Sequence, residues 1–396
     1  MKIFYFSIFD VFRARTNQIA DIRLCEGFAQ AGCNVEMITP YVYRPDNMRR
    51  DEIFDFYGVE TPFRLTILRT PFVDHMRAIV VLPVMLAFVL LATLRILVVN
   101  RGELADTVVI SRTPDLLLPV LVLKRLFRMR RGPLVVTWAH ELIFRRRYEW
   151  VYRNSDAVVG TNSAITEDLV SKLGIAKERT AISLNPISES QLRGRVSRDA
   201  ARAALGLNVE RPLVVYTGKV GVGIREIAYI LEAAAMLPDY QFLFTGGKPE
   251  AVRHYKEQCE RRGIRNVTFV GFLHDYSQVR NYQAASDVLV SYYTTEDHMT
   301  RYNLPNKICE YMLSGSPIVS CDFPATRDVL NANNAIFVAP ESADELVRGI
   351  RLAVENGELA RAVAERAYQD VRQMTFRRRA ESLVSFFRTL RPQNPA

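Results

Sequence analysis

Short runs of β-branched and aromatic residues alternate along the chain with stretches whose apolar positions recur at helical spacing. In the first half the runs are KIFYFSI, VEMITP, LTILRT, DTVVIS, LVVTW and DAVVGT, with a helical pattern from about Thr16 to Ala31 after the first. Around Asn185 and Pro186 the alternation pauses, and a polar stretch rich in Arg and Ala leads into a second series. That series reads PLVVYTG, a helix near Glu226 to Met236, YQFLFTGG, a helix near Glu250 to Arg262 and VTFVGF. It continues with a helix near Tyr276 to Ala285, DVLVSYY, a helix near Lys307 to Ser314, and PIVSC. Strands that alternate with helices predict parallel sheets wrapped on both faces, hence an α/β chain of two Rossmann-like, doubly wound domains. The predicted spans are 1–190 and 191–370, with 371–396 a C-terminal helix packing back on the N-terminal domain. In such sheets ligands bind at the carboxyl ends of the strands, so two domains facing across a cleft make that cleft the expected site.

Length agrees, because 396 residues exceed what one hydrophobic core organises. Hydrophobic residues at 49% and charged residues at 24% describe a folded protein rather than a solvated tail. The five cysteines are scattered without CxxC spacing, which argues against zinc and disulfides and for reduced core thiols. The start, MKIFYFSIFDVF, reads as a first strand and not a signal peptide, so a cytoplasmic protein is expected.

The net charge of +9 is concentrated. Residues 112–153 hold ten Lys or Arg against three acids. No aromatic ladder, zinc-finger or RNP pattern accompanies them, which disfavours nucleic acid and leaves an anionic membrane surface as the expected partner. The apolar run 78–94 is seventeen residues and contains Pro83, too short and too interrupted to span a bilayer. It is either a helix buried against the sheet or an interfacial one, and the adjacent LLLPVLVLKRLFRMRR favours the interface.

Three segments carry candidate chemistry. In YNLPNKICEYMLSGSPIV, Pro305 and Gly315 bracket a short helix. The amides of Leu304, Asn306 and Lys307, with the Lys307 ammonium, make an anion site suited to a diphosphate. Glu310 lies one turn on, where a carboxylate can accept two hydrogen bonds from a ribose diol. The plain alternative is a solvated Lys307–Glu310 pair. In YTGKVGVGIREI, Gly218, Gly221 and Gly223 follow a strand and precede a helix, and Lys219 and Arg225 supply two cations for a leaving diphosphate. In VVTWAHE, His140 and Glu141 stand just past a strand's carboxyl end. No Asp-x-Asp occurs, so no carboxylate pair for a nucleotide-bound metal is present and no metal or other cofactor is expected.

These segments in this order, GKVGVGIRE, TGG, NVTFVGFLHDYSQVRNYQAASDVLVSYY and NLPNKICEYMLSGSPIVS, resemble retaining glycosyltransferase family 4, bacterial surface-polysaccharide type, over nearly the whole chain. The resemblance implies the GT-B fold. Lys219 and Arg225 match the family's phosphate-binding cations, and Phe272 and Leu273 match the segment whose backbone reads the base. Glu310 matches the ribose-binding second Glu of the Glu, seven residues, Glu motif. His140 matches the active-site His, which contacts the donor sugar and is not a general base. Tyr302 stands where the first Glu of that motif belongs, beside Asn303, so the contact to the sugar hydroxyls is altered; Glu296 is the nearby substitute. The family's glycine-rich turn after the first strand is replaced by SIFDVFRARTNQ, making Arg15, Thr16 and Asn17 an acceptor or phosphate loop. The implied reaction moves a hexose or N-acetylhexosamine from a UDP-sugar, or from GDP-mannose, to a lipid-linked saccharide or glycan acceptor at the inner face of the cytoplasmic membrane. The competing readings are a nucleotide-sugar epimerase and a catalytically silent GT-B scaffold.

Overall fold

The computed structural model describes every residue except 10, 13–15, 44–48, 74–86, 97–101, 103, 130–131, 141, 208–209, 296–300, 303 and 392–396. For 16–17, 42–43 and 69–73 it describes the backbone alone. The strands are β1 (Lys2–Phe6), β2 (Asn34–Tyr43), β3 (Arg64–Val73), β4 (Thr107–Ser111), β5 (Leu134–Ala139), β6 (Ala157–Gly160), β7 (Thr180–Ile182), β8 (Leu213–Thr217), β9 (Gln241–Thr245), β10 (Val267–Gly271), β11 (Val288–Ser291), β12 (Ile318–Cys321) and β13 (Ile336–Val338). The helices are α1 (Thr16–Gln30), α2 (Ile53–Tyr57), α3 (87–96), α4 (Pro114–Leu126), α5 (Arg146–Asn154), α6 (Ser163–Ser171), α7 (Arg198–Leu205) and α8 (Arg225–Met236). They continue with α9 (Pro249–Arg262), α10 (Tyr276–Ala285), α11 (Asn306–Ser314), α12 (Pro324–Arg327), α13 (Ala343–Glu355), α14 (Gly357–Val371) and α15 (Phe376–Thr389).

The chain folds into two compact units, one of Met1–Leu184 with Phe376–Ala396, the other Asn185–Thr375. Each is built on one wholly parallel sheet, ordered β3-β2-β1-β4-β5-β6-β7 in the first and β10-β9-β8-β11-β12-β13 in the second. Both sheets reverse direction of travel once, beside β1 and β4 in the first and beside β8 and β11 in the second. The central strands are mostly apolar because helices cover both faces: every residue of β4, β5, β6, β8, β11 and β12 is buried.

In the first unit α15 packs on α1, with Phe28 and Phe387 rings 6.4 Å apart. Gly27 permits the approach, since a Cβ there would lie 2.6 Å from the Phe376 carbonyl oxygen. On the opposite face α3 and α4 share one core cluster, burying Phe88, Val89, Ala92 and Ile96 with Leu116, Leu117, Val120 and Leu121. Residues 87–94 of the long apolar run are therefore a helix with one side on the sheet, while Leu90, Leu91 and Leu94 are exposed; 78–86 lie outside the described residues. No helix among the described residues is long and apolar enough to cross a membrane. All five cysteines are free, four of them buried.

Helix ends in the second unit follow local chemistry. Asp275 caps α10 through the Ser277 N–H, Ser342 caps α13 through the Glu345 N–H, and Gly263 and Gly315 close α9 and α11 in the left-handed conformation.

Candidate functional site

The switch point of the second sheet lies where β8 and β11 run side by side, and their carboxyl ends carry the glycine-rich loop. Gly218 takes φ 147° and Gly223 φ 80°, which a side chain would strain. The loop's shape is set from the next turn: a Cβ on Gly246 would meet the Gly218 carbonyl oxygen at 1.9 Å, and one on Gly247 would meet Val220 at 2.9 Å. Two tyrosines hold its carbonyls, Tyr216 donating to Lys219 O at 3.2 Å and Tyr255 to Gly221 O at 2.8 Å. With its carbonyls turned into the protein, the loop presents Lys219 and the first residue of α8, Arg225, as exposed cations.

Helix α11 begins at the same edge. Asn185 donates to the Leu304 carbonyl at 2.8 Å, and the Tyr311 hydroxyl accepts the Thr217 N–H at 2.8 Å, which ties the helix to the end of β8. The solvated Lys307–Glu310 pair does not form. The Lys307 ammonium sits 4.1 Å from the centre of the Tyr216 ring and 4.9 Å from that of Tyr293, and it makes no ion pair among the described residues. Such cation–ring contacts are worth up to about 2 kcal/mol when desolvated. Burial pushes the Lys307 pKa down to about 7, against the pull of Glu226, Cys321 and Glu310. Glu310 turns the other way, accepting from Gln283 Nε2 at 3.3 Å and from the Tyr276 hydroxyl, whose pKa is raised by burial and then by Glu310.

The remaining candidates divide. Phe272 is 65% exposed after Gly271, its ring edge-on to His274 at 5.0 Å, an open apolar face beside Leu273. Asn306 is exposed at the start of α11. Tyr302 is only 8% exposed and Leu304 is buried, so both side chains pack into the protein. Asn303 and Glu296 lie outside the described residues.

In the first unit the corresponding strand ends are polar and enclosed. Asp21 of α1 is fully buried, accepting from Tyr5 Oη at 2.6 Å, Ser7 Oγ at 2.8 Å and Arg112 at 3.3 Å. His140 follows β5, half-buried beside Trp138, over whose ring Arg379 lies at 4.4 Å. Burial first, then Arg112 and Arg379, hold the His140 pKa well below its ordinary value, so the imidazole is neutral at pH 7. Thr16 and Asn17 open α1, without described side chains, and Arg15 and Glu141 lie outside the described residues.

The structure thus gathers Gly218, Lys219, Arg225, Asn306, Lys307 and Glu310 in the second unit and adds Tyr216, Tyr293, Gly246 and Gly247, which the sequence reading did not single out. The TGG following a buried strand was the available signal for the two glycines. Nothing local marks Tyr216 or Tyr293 as partners of Lys307.

Residues 211–356 match the family described as glycosyl transferases group 1. A D-inositol 3-phosphate glycosyltransferase of Xylanimonas cellulosilytica is 25% identical over 200 residues, 48% of this chain. The match spans 46% of that relative, somewhat less than half its length. Among solved structures, sucrose-phosphate synthase from Thermosynechococcus elongatus superposes with a TM-score of 0.71 at 18% identity, over 98% of each chain. Anabaena HepE in complex with UDP and glucose superposes with a TM-score of 0.69 at 15% identity, over 98% of this chain and 100% of the other. The fold is GT-B, and the match to the group 1 family lies within the second unit.

Proposed function

We propose that this protein is a retaining glycosyltransferase that moves a hexose or N-acetylhexosamine from a UDP-sugar to a hydroxyl of a lipid-linked saccharide or glycan. The observation that carries the reading is the meeting of the Gly218 loop, the Lys307 ammonium and Glu310 around one strand end of a group 1 domain. A UDP donor is favoured over GDP-mannose because HepE, of the same fold, was solved with UDP and glucose.

In this account Lys219, Arg225 and Lys307 neutralise the diphosphate, so no metal is needed, and Glu310 holds the ribose hydroxyls once Tyr276 releases it. The base lies on Phe272 and Leu273, with the amides of Leu304, Asn306 and Lys307 along the phosphates. The bond from the anomeric carbon to the β-phosphate oxygen breaks as the acceptor oxygen bonds to that carbon on the same face. The acceptor's proton passes to the departing phosphate oxygen, and nucleoside diphosphate leaves. His140, neutral, donates or accepts one hydrogen bond to the donor sugar and takes no proton.

The acceptor class rests on the first unit. Leu126 and Phe127, 69% and 66% exposed at the end of α4, and the exposed leucines of α3 cover one side of the sheet. Arg125 and Arg128, both exposed, stand among them, a composition suited to the anionic inner face of the cytoplasmic membrane.

The test is product analysis. With UDP-sugars and a lipid-linked acceptor, the account expects nucleoside diphosphate release that requires acceptor, and a product with the donor's anomeric configuration by NMR. An inverted product contradicts retention, and isomerised nucleotide sugar without acceptor would make the protein an epimerase. Co-sedimentation with anionic liposomes tests the membrane face, and a protein that stays in the supernatant contradicts it.

A further inference from the structure

A cavity of about 780 Å³ in the second unit lies at the amino-terminal ends of the strands, away from the Gly218 loop. Pro212, Asp287 and Pro317, which immediately precede β8, β11 and β12, form its back, and Ala353, Ala360 and Ala364 of α13 and α14 form an apolar wall. Five arginines line it: Arg195, Arg198, Arg202, Arg211 and Arg361. Their guanidinium groups face three carboxylates, Glu210, Asp287 and, paired with Arg195 at 3.1 Å, Glu365. The cavity is therefore positive overall.

Several of these arginines are fixed in place. Arg202 donates to the Ala285 carbonyl at 2.9 Å and to Asp287 at 2.8 Å, and Arg198 donates to the other Asp287 oxygen at 2.6 Å. Arg195 lies over the Tyr368 ring at 4.7 Å and flat against Gly315, where any Cβ would collide with its guanidinium. Each fork keeps donors unspent, since a guanidinium offers five. Arg211 and Arg361, both exposed, pair with no carboxylate among the described residues.

Ordering these side chains beforehand removes the entropy cost that makes isolated surface arginines weak anion binders. We propose that this cavity binds a small polyanion carrying two or more phosphoryl or carboxylate groups, at a site separate from the nucleotide. Its volume is that of a small-molecule site rather than of a single ion. The inference does not depend on the transfer reaction.

The experiment uses the full chain with Lys219→Ala and Lys307→Met, which silence anion binding at the other end of the sheet. Calorimetric titration uses pyrophosphate for a phosphoryl source and trigalacturonate for a carboxylate source. Binding of at least one probe is expected to persist in that background. Adding Arg211→Glu and Arg361→Glu should weaken it by at least about tenfold with an unchanged melting temperature, as loss of charge-assisted contacts implies. Which probe binds identifies the source. A background protein that binds neither probe, or binding that ignores the two arginine changes, overturns the proposal, and nucleotide binding by wild-type protein is untouched by either result.

Discussion

The two sheets share one strand order around their switch points and furnish them in opposite ways. In the second unit the strand ends are glycines in conformations closed to side chains, with exposed Lys219 and Arg225 and a half-buried lysine held by two tyrosine rings. In the first, no glycine follows β1, and the strand ends are closed by a buried Asp21 that Tyr5, Ser7 and Arg112 satisfy, beside a neutral His140. One topology therefore offers backbone approach and positive charge in one unit, and a charge-compensated polar wall in the other. Topology decides where a ligand goes; the residues at the strand ends decide which ligand.

Changes that break this contrast should act on one unit at a time. The largest effect is expected from Asp21→Ala. It strands Arg112 without its buried partner, which costs about 3–5 kcal/mol of stability in denaturant titration. Nucleotide affinity of the folded fraction should be unchanged. Gly246→Ala should cost about 3 kcal/mol or more and weaken nucleotide binding as well, because its Cβ enters the Gly218 carbonyl. Gly263→Ala, at φ 68° with nothing within 4 Å, separates dihedral strain from this collision and should cost only about 1–2 kcal/mol.

Next in size is Lys307. With its pKa at about 7 and a diphosphate favouring the ammonium, nucleoside diphosphate binding should take up a proton at pH about 8 and weaken as pH rises above 7. Calorimetry in buffers of different ionisation enthalpy reads this directly. Lys307→Met should abolish the uptake and cost about 10- to 100-fold in affinity, the range for a hydrogen bond to a charged group. The smallest effect belongs to His140. Its folded pKa is depressed, so the unfolded chain takes up the proton first, and the contribution present above about pH 6.5 is lost progressively as pH falls. His140→Gln should flatten that acid limb of the stability profile without changing stability at pH 8.

How much of this the sequence carried follows the same physics. Runs such as TVVIS, LVVTWA and AVVG read as buried parallel strands because both faces need apolar residues, and each is a strand. The helices read from Glu226, Glu250, Tyr276 and Lys307 begin within a residue of those positions. The three-residue strands β7 and β13 show too little pattern to stand out, and their pairing comes from the neighbouring strand. Lys307 and Glu310 were legible as candidates from their place at a helix start, but not their opposite orientations. Those depend on Tyr216 and Tyr293 from two other strand ends and on Gln283 and Tyr276 from α10. Tyr302 was conspicuous as a missing acid, but the burial of its side chain was not legible.

The central claim, that the second unit's strand ends bind a nucleoside diphosphate through backbone and protein cations, is tested most directly by thermal denaturation without metal in the presence of UDP, GDP or ADP. A ligand about 100-fold above its Kd adds roughly 2.7 kcal/mol to the folded state, a shift easily resolved. One nucleotide, UDP, is expected to raise the melting temperature of the wild-type protein and to leave that of Lys219→Ala and Glu310→Ala unmoved. No shift with any nucleotide, or a shift that survives both substitutions, would contradict it.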